Sequence, residues 1–280
     1  MPIQITCDSA CELPSSLARR YGIAEIPLRV TMGSESRLDK INIGAEEIYA
    51  YAGTSGSLPG IVPVSEETYE DCFRKYRDQG NQVLHISLSG KLSHCYEHAK
   101  AAAKKFENVS VIDSESISIG AGDLTLLAAE LAGADYRLEE LTSAINEMKR
   151  KMEASCLLQS SSMLKTGRRQ GGFRACAEAF ANWKPEISMR SGKIRHRKYF
   201  QGNMDQSIRD YLRSCLEGRS NIQTDRILLT HSGLSGDLLS QVRQLLLQLQ
   251  PFEEILEVPA SSVVSCRCGP GSLGLAYMTK

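Results

Sequence analysis

The sequence predicts an α/β protein of two domains, the first built on a mostly parallel sheet. Short apolar runs alternate with amphipathic segments from residue 3 to about residue 152, the pattern of successive βα units with helices on both faces of a sheet. Beyond that point the pattern changes and admits a hairpin. A chain of 280 residues is long enough for two cores. The boundary is expected near residue 155, giving an N-terminal domain at 1–155 and a C-terminal domain at 156–280.

Ile3–Cys7 reads as a buried strand. Ser9 stands three residues before Glu12, the spacing of a capping box, which predicts a helix reaching Tyr21 with Gly22 as its stop. Ala24–Thr31 carries a second strand pattern, and Ala45–Ala52 and Ser65–Asp78 are helical, the latter opened by Ser65, Glu66 and Glu67. Val83–Leu88 and Val109–Ile112 are short β-branched or apolar runs, each followed by a helix, the first of these at Glu97–Phe106. Leu138–Met152 is a long amphipathic helix. After it come a strand at Cys156–Gln159, a basic loop at 163–172 and a helix at Phe173–Trp183. Glu186–Met189 and Lys193–Phe200 flank Arg190-Ser191-Gly192, a hairpin turn. Asp205–Leu216, Ile227–Thr230, Leu238–Leu249 and Ile255–Val258 continue as helix, strand, helix, strand.

Composition narrows the function classes. Lys plus Arg equals Asp plus Glu at 33 each, so no global field draws the chain to nucleic acid or acidic lipid. The uncharged run 154–164 is too short to span a bilayer, and no stable membrane insertion is expected. The N-terminal residues lack a basic n-region and an apolar h-region, so the cytoplasm is the default compartment. Nine cysteines are scattered without a CxxC. Only Cys7 with Cys11 and Cys266 with Cys268 lie close, and the second spacing is poor for zinc. Small reduced core residues are the better reading, with no metal and no cofactor.

Ser87–Tyr96, SLSGKLSHCY, is the most informative segment. It lies where a strand hands over to a helix, and exposed N–H groups with Ser87, Ser89 and Ser93 form a receptor for an oxyanion. A well-capped helix explains the same residues. His94 could donate to a bound anion or simply be solvated; His85, inside a strand, reads as a core residue. Asp8-Ser9 ends the first strand, where open α/β sheets place ligands, although capping explains Ser9 as well. Gly269-Pro270-Gly271-Ser272-Leu273-Gly274 matches G-x-G-x-x-G, but too few residues follow for the helix a nucleotide site needs. Gly120-Ala121-Gly122 lacks the Lys-Ser/Thr of a phosphate loop, and neither HExxH nor G-x-S-x-G occurs. The run Lys193–Lys198 is basic, and strand alternation would project Arg195 and Arg197 to one face.

Taken in order, Asp8-Ser9, Leu92-Ser93 with Tyr96, Val111-Ile112-Asp113-Ser114 continuing to Ser116, Ser118 and Gly120, Lys184-Pro185, Gly192-Lys193-Ile194 and Gly269-Pro270-Gly271 resemble the DegV family of bacterial fatty-acid-binding proteins from end to end. The resemblance implies that a long-chain fatty acid is enclosed between the two domains, its tail buried and its carboxylate near the surface. It also implies that a separate fatty acid kinase takes up that carboxylate for phospholipid synthesis, and that the carrier does no chemistry. Candidate ligand contacts are Ser93, His94, Arg267, Ile61, Val62, Ser9, Ser89 and Gly120. Three positions depart from the family pattern. Ile61-Val62-Pro63-Val64-Ser65 replaces a Thr-Ser-Gln-Pro-Ser run, Ser93-His94-Cys95-Tyr96 replaces Ser-Gly-Thr-Tyr, and Arg267-Cys268 stands where His-Thr is usual. Ser93, backbone N–H groups near Ile61 and a charge-assisted bond from Arg267 would still hold a carboxylate. Arg195, Arg197 and Lys198, with Arg169 in the GGR-like loop, are the candidate docking face for the kinase. The alternatives are a hydrolase or phosphotransferase using Ser93 with His94, and a carrier of another apolar anion.

Overall fold

A computed structural model describes residues 1–159 and 182–280. The first sheet is wholly parallel, in the order β2-β1-β6-β7, with β1 at Ile3–Asp8, β2 at Ala24–Ile26, β6 at Gln82–Ser87 and β7 at Val109–Asp113. Alternation along β1 and β6 sends side chains to two different cores. Ile5, Cys7, Leu84 and Ile86 join one apolar cluster, while Val83 joins the other with Tyr69 and Phe73. Helices α3 (Glu66–Asp78) and α4 (Cys95–Ala103) supply that second layer, and α5 (Ile119–Ala132) and α6 (Leu138–Met148) cover the opposite face.

The second sheet has six strands in the order β10-β9-β8-β13-β11-β12. These are β8 (Met152–Leu157), β9 (Trp183–Arg190), β10 (Lys193–Gln201), β11 (Arg226–His231), β12 (Glu254–Pro259) and β13 (Leu273–Met278); only the β11–β12 pairing is parallel. Helices α7 (Met204–Leu216) and α8 (Gly236–Leu249) close its outer face through Tyr211, Leu212, Val242 and Leu246. Its inner face contributes Ala154, Leu228 and Ala276 to the cluster that also holds α5. Helix α5 therefore lies between two sheets, which explains why 10 of its 14 residues are buried and why it shows no polar face. A small antiparallel sheet of β4 (Glu35–Leu38), β3 (Arg29–Met32) and β5 (Gly60–Val62), with helices α1 (Ser15–Arg20), α2 (Ala45–Ser55) and α9 (Ser262–Cys268), completes the described chain.

Several expectations from the sequence are corrected. Ser9 and Glu12 form no capping box: α1 begins at Ser15, after Pro14, and both side chains are spent on tertiary contacts. Ala24–Thr31 is two strands in different sheets, because Pro27 lacks the N–H to continue a ladder. Helix α6 stops at Met148, and a single 3-10 turn leads directly into β8 at Met152, earlier than the strand expected at Cys156. The helix at Ser262–Cys268 is not among the sequence expectations; Ser261 caps it by accepting from the Val264 N–H. Trp183 opens a strand rather than ending a helix, and the rest of 163–182 is described only at its last residue, so the expected loop and the helix start lie outside the described residues.

Candidate ligand cavity

An apolar cleft lies where β8, β9, β10 and β13 face the entry to α5 and the end of α9. Its wall includes Ile117, Ile119, Ile187, Met189, Ile194 and Leu275. Arg267, in the last turn of α9, is the one charged side chain on that wall among the described residues.

Three hydroxyls on that wall, those of Ser118, Thr230 and Ser155, are engaged elsewhere. Ser118 and Thr230 both donate to the Glu12 carboxylate, Thr230 at 3.1 Å, and the Ser261 N–H reaches the other Glu12 oxygen. Ser155 Oγ pairs with the Tyr211 hydroxyl at 2.8 Å. Glu12 is wholly buried, and burial pushes its carboxyl above the usual carboxylate range despite the bonds from Ser118 and Ser261. Ser118 adopts φ 57° and ψ −140°, a conformation L-residues rarely take, held by bonds to Ala10 O and from the Glu12 N–H. Glu12 is legible in the sequence only as a helix cap; its partners are 106 to 249 residues away, and no local spacing reveals them.

Of the expected ligand contacts, Arg267 alone lines the cleft. Ile61 and Leu92, next to Val62 and Ser93, pack on the same cluster as Val263 and Cys266 of α9, so these segments share one core. Ser93 Oγ contacts Cys95 Sγ at 3.2 Å and accepts from the Cys95 N–H. His94 stands at the start of α4 with its ring stacked on His98, centroids 6.1 Å apart. Ser93 thus has no bond to His94, the pairing a hydrolytic site would need. Burial pushes the Cys95 thiol up to about 11, so it is no ready nucleophile. Ser9 Oγ donates to Asp39 at 2.7 Å and accepts from the Leu28 N–H. Ser89 Oγ donates to Gly192 O at 2.7 Å. Gly120 is a close-approach glycine: a Cβ there would sit 2.8 Å from Ala154 Cβ.

The end of β1 holds a second polar cluster. Asp8 accepts from Tyr69, from Ser87 Oγ at 2.7 Å and from the Leu88 N–H at 2.8 Å, with His85 Nε2 at 3.5 Å. Thr6 Oγ1 lies 3.0 Å from His85 Nδ1. Thr6, Asp8, Tyr69 and His85 are all fully buried, so this triad-like group meets no substrate and serves the core.

The Gly-Pro-Gly turn is stitched to the end of β11: Ser232 Oγ donates to Gly269 O at 2.6 Å and the Gly271 N–H donates to Ser232 O at 2.6 Å. Both glycines have positive φ, 70° and 75°. Cys7 and Cys11 lie in a different apolar cluster from Cys266, so the two close cysteine pairs do not converge.

On the hairpin, a β-bulge at Arg197 between His196 and Lys198 corrects the strict alternation expected of Arg195 and Arg197. Arg197 instead bonds buried Glu186 at 2.8 Å. Lys198 bonds Ser214 Oγ and lies 4.9 Å over the Phe200 ring, whereas Arg195 is exposed opposite Ser188. Arg169 lies outside the described residues.

This architecture is shared. A DegV family protein of Thermus thermophilus, described for its fatty acid binding, superposes with a TM-score of 0.85 at 28% identity, covering 99% of this chain and 100% of that one. A DegV lipid-binding protein of Thermotoga maritima has the same fold, with a TM-score of 0.84 at 22% identity over 100% and 99% of the two chains. A DegV domain-containing protein of Clostridium acetobutylicum is 25% identical over 280 residues, 99% of each chain. The family model described as "Uncharacterised protein, DegV family" matches residues 2–280, and the chain belongs to that family.

Proposed function

We propose that this protein is a cytoplasmic carrier of one long-chain fatty acid, enclosed between a domain at 1–155 and a domain at 156–280. The observation that carries this reading is the apolar cleft with a single cation on its wall. Ile117 and Ile119 come from one side of that division, and Ile187, Met189, Ile194 and Leu275 from the other. An acyl tail gains about 0.8 kcal/mol per buried CH₂, so a predominantly apolar cleft supplies ample affinity. Arg267 would meet the carboxylate, with Ser93 and the backbone near Ile61 and Val62 as further donors. His94 would lie at the rim of that site. The fatty acid binding described for the Thermus relative supports the same ligand class.

The carrier would present the carboxylate to a fatty acid kinase that feeds phospholipid synthesis. Arg195 and Lys198 on β10 are its docking candidates, and Arg169 a third; Arg197 contributes less, because Glu186 already neutralises it. Eight described cysteines are free thiols, which suits a reducing compartment.

The test is mass spectrometry of lipid released from purified, denatured protein, followed by calorimetry on the delipidated form. One fatty acid per chain is expected, and Arg267→Gln should weaken its binding about tenfold, the scale of a charge-assisted hydrogen bond. Protein that carries no acyl chain and does not take one up would end the proposal.

A further inference from the structure

The apolar cleft adjoins a second, polar space. Ala154, Ser155, Ser188 and Met189 line both. Its wall carries four cations: Lys149, Arg150, Arg190 and Arg197. Lys149 is answered by Glu115 at 3.3 Å and Arg197 by Glu186 at 2.8 Å. Glu153, the other acid on that wall, is engaged by Arg219 at 2.8 Å. Arg150 and Arg190 have no ion-pair partner among the described residues, and both are exposed to this space.

Two hydroxyls on the same wall are buried without a partner. Ser116 is 3% and Ser188 7% exposed, and neither Oγ makes a hydrogen bond in the described protein. Buried polar groups are normally satisfied, so an orphan hydroxyl at a pocket wall calls for a partner from the space it faces, a water or a ligand atom. Arg267 lines only the apolar cleft, so the two cationic regions are distinct.

We propose that the second space receives the far end of a bipolar acyl chain, and that the protein takes long-chain α,ω-dicarboxylic acids. One carboxylate lies at Arg267, the methylene chain fills the apolar cleft, and the other carboxylate is met by Arg150, Arg190 and the Ser188 hydroxyl. In a closed apolar tunnel a second carboxylate would lose its hydration with nothing in exchange. Here two uncommitted guanidinium groups and an unpartnered hydroxyl replace the water. This assignment rests on the fatty-acid reading of the apolar cleft and deepens it.

Calorimetry on delipidated protein tests it, with saturated diacids from dodecanedioic to octadecanedioic acid beside the monoacids of the same lengths. At its best length the diacid is expected to bind at least as tightly as the monoacid. Arg150→Glu combined with Arg190→Glu should weaken diacid binding about tenfold or more and leave the monoacid within about twofold. Both residues are exposed, so the fold is retained; Ser188→Ala, which removes a hydroxyl without a partner, should lower diacid affinity severalfold on its own. A wild-type preference for every monoacid by about tenfold, or an equal loss for both acids in the double variant, overturns the diacid assignment while monoacid binding preserves the carrier reading. Binding of neither class overturns both.

Discussion

Asp8 and Glu12 are four positions apart, both fully buried, and burial acts on them with opposite results. For Asp8, burial alone would raise the carboxyl, but the hydrogen bond and charge of His85, with bonds from Tyr69 and Ser87, hold it below the usual 3.8. A depressed carboxyl contributes stability above its unfolded value, and that stability is lost as pH falls through the folded one. Asp8→Asn is therefore expected to cost about 3 kcal/mol at neutral pH, since an amide cannot accept from all three donors. The gap to wild type should narrow as pH drops toward about 3, as urea unfolding at several pH values will show. Glu12 has the reverse sign. Its raised carboxyl holds a proton more tightly in the folded protein, so its ionisation removes stability as pH rises from 4.5 through the folded value. Glu12→Gln should then be milder than Asp8→Asn at neutral pH, and it should flatten the decline in stability above about pH 4.5 in the same unfolding series. A larger loss than Asp8→Asn would show that the hydrogen bonds to Ser118, Thr230 and Ser261 outweigh the cost of the buried charge.

The turn between β6 and α4 has a structural task that local sequence does not show. Ser89 Oγ and Lys91 Nζ donate to Gly192 O and Ser191 O, at 2.7 and 2.8 Å, so the hydroxyl-rich turn clasps the tip of the β9–β10 hairpin. Ser89→Ala with Lys91→Ala should cost about 1–2 kcal/mol and raise amide exchange around residues 190–193, with β1 and β6 unaffected; hydrogen exchange with mass spectrometry reads this directly. The strand, the turn and the helix are legible in the sequence, because apolar period and small hydroxyl residues are local signals. That Gly192 stands opposite Ser89, 103 positions away, is not. The same limit explains Ser9 and Glu12, whose capping-box spacing is real in the sequence but whose side chains find better partners in Asp39, Ser118 and Ser261. Periodicity also misplaces Arg197, because a bulge is a property of two strands and their register. Arg267 is legible from its place before Gly-Pro-Gly, whereas Arg150 and Arg190 stand in unremarkable sequence and become a pair only where the 3-10 turn and the hairpin meet one space.

At the scale of the whole molecule, α5 decides whether two sheets behave as one body. It packs on the parallel sheet through one face and on the six-stranded sheet through the other, and Arg226 of β11 ties it down with bonds to Asp123 at 2.7 Å and Glu130 at 2.6 Å. Burial raises the Asp123 carboxyl even with Arg226 beside it, so this is a charge that depends on its partner. Wild-type protein should therefore unfold in one cooperative transition. The sole tryptophan, Trp183, reports on the six-stranded sheet alone, while far-UV dichroism reports on every element. The two curves should coincide. Arg226→Met leaves Asp123 buried without its counter-charge and should remove about 3–5 kcal/mol. If α5 is the coupling element, the variant's fluorescence transition will separate from its dichroism transition, because the substitution breaks the ion pairs that join α5 to the six-stranded sheet. Arg226→Lys keeps a charge but not the two-pronged geometry, so it should fall between the two. Coincident curves in Arg226→Met, merely shifted to lower denaturant, would mean that apolar packing on α5 suffices to couple the sheets and that the ion pairs only add stability. In that case Gly122→Ala is the sharper probe: a Cβ there would lie 1.9 Å from Glu12 O, forcing α5 away from the β1–α1 connection.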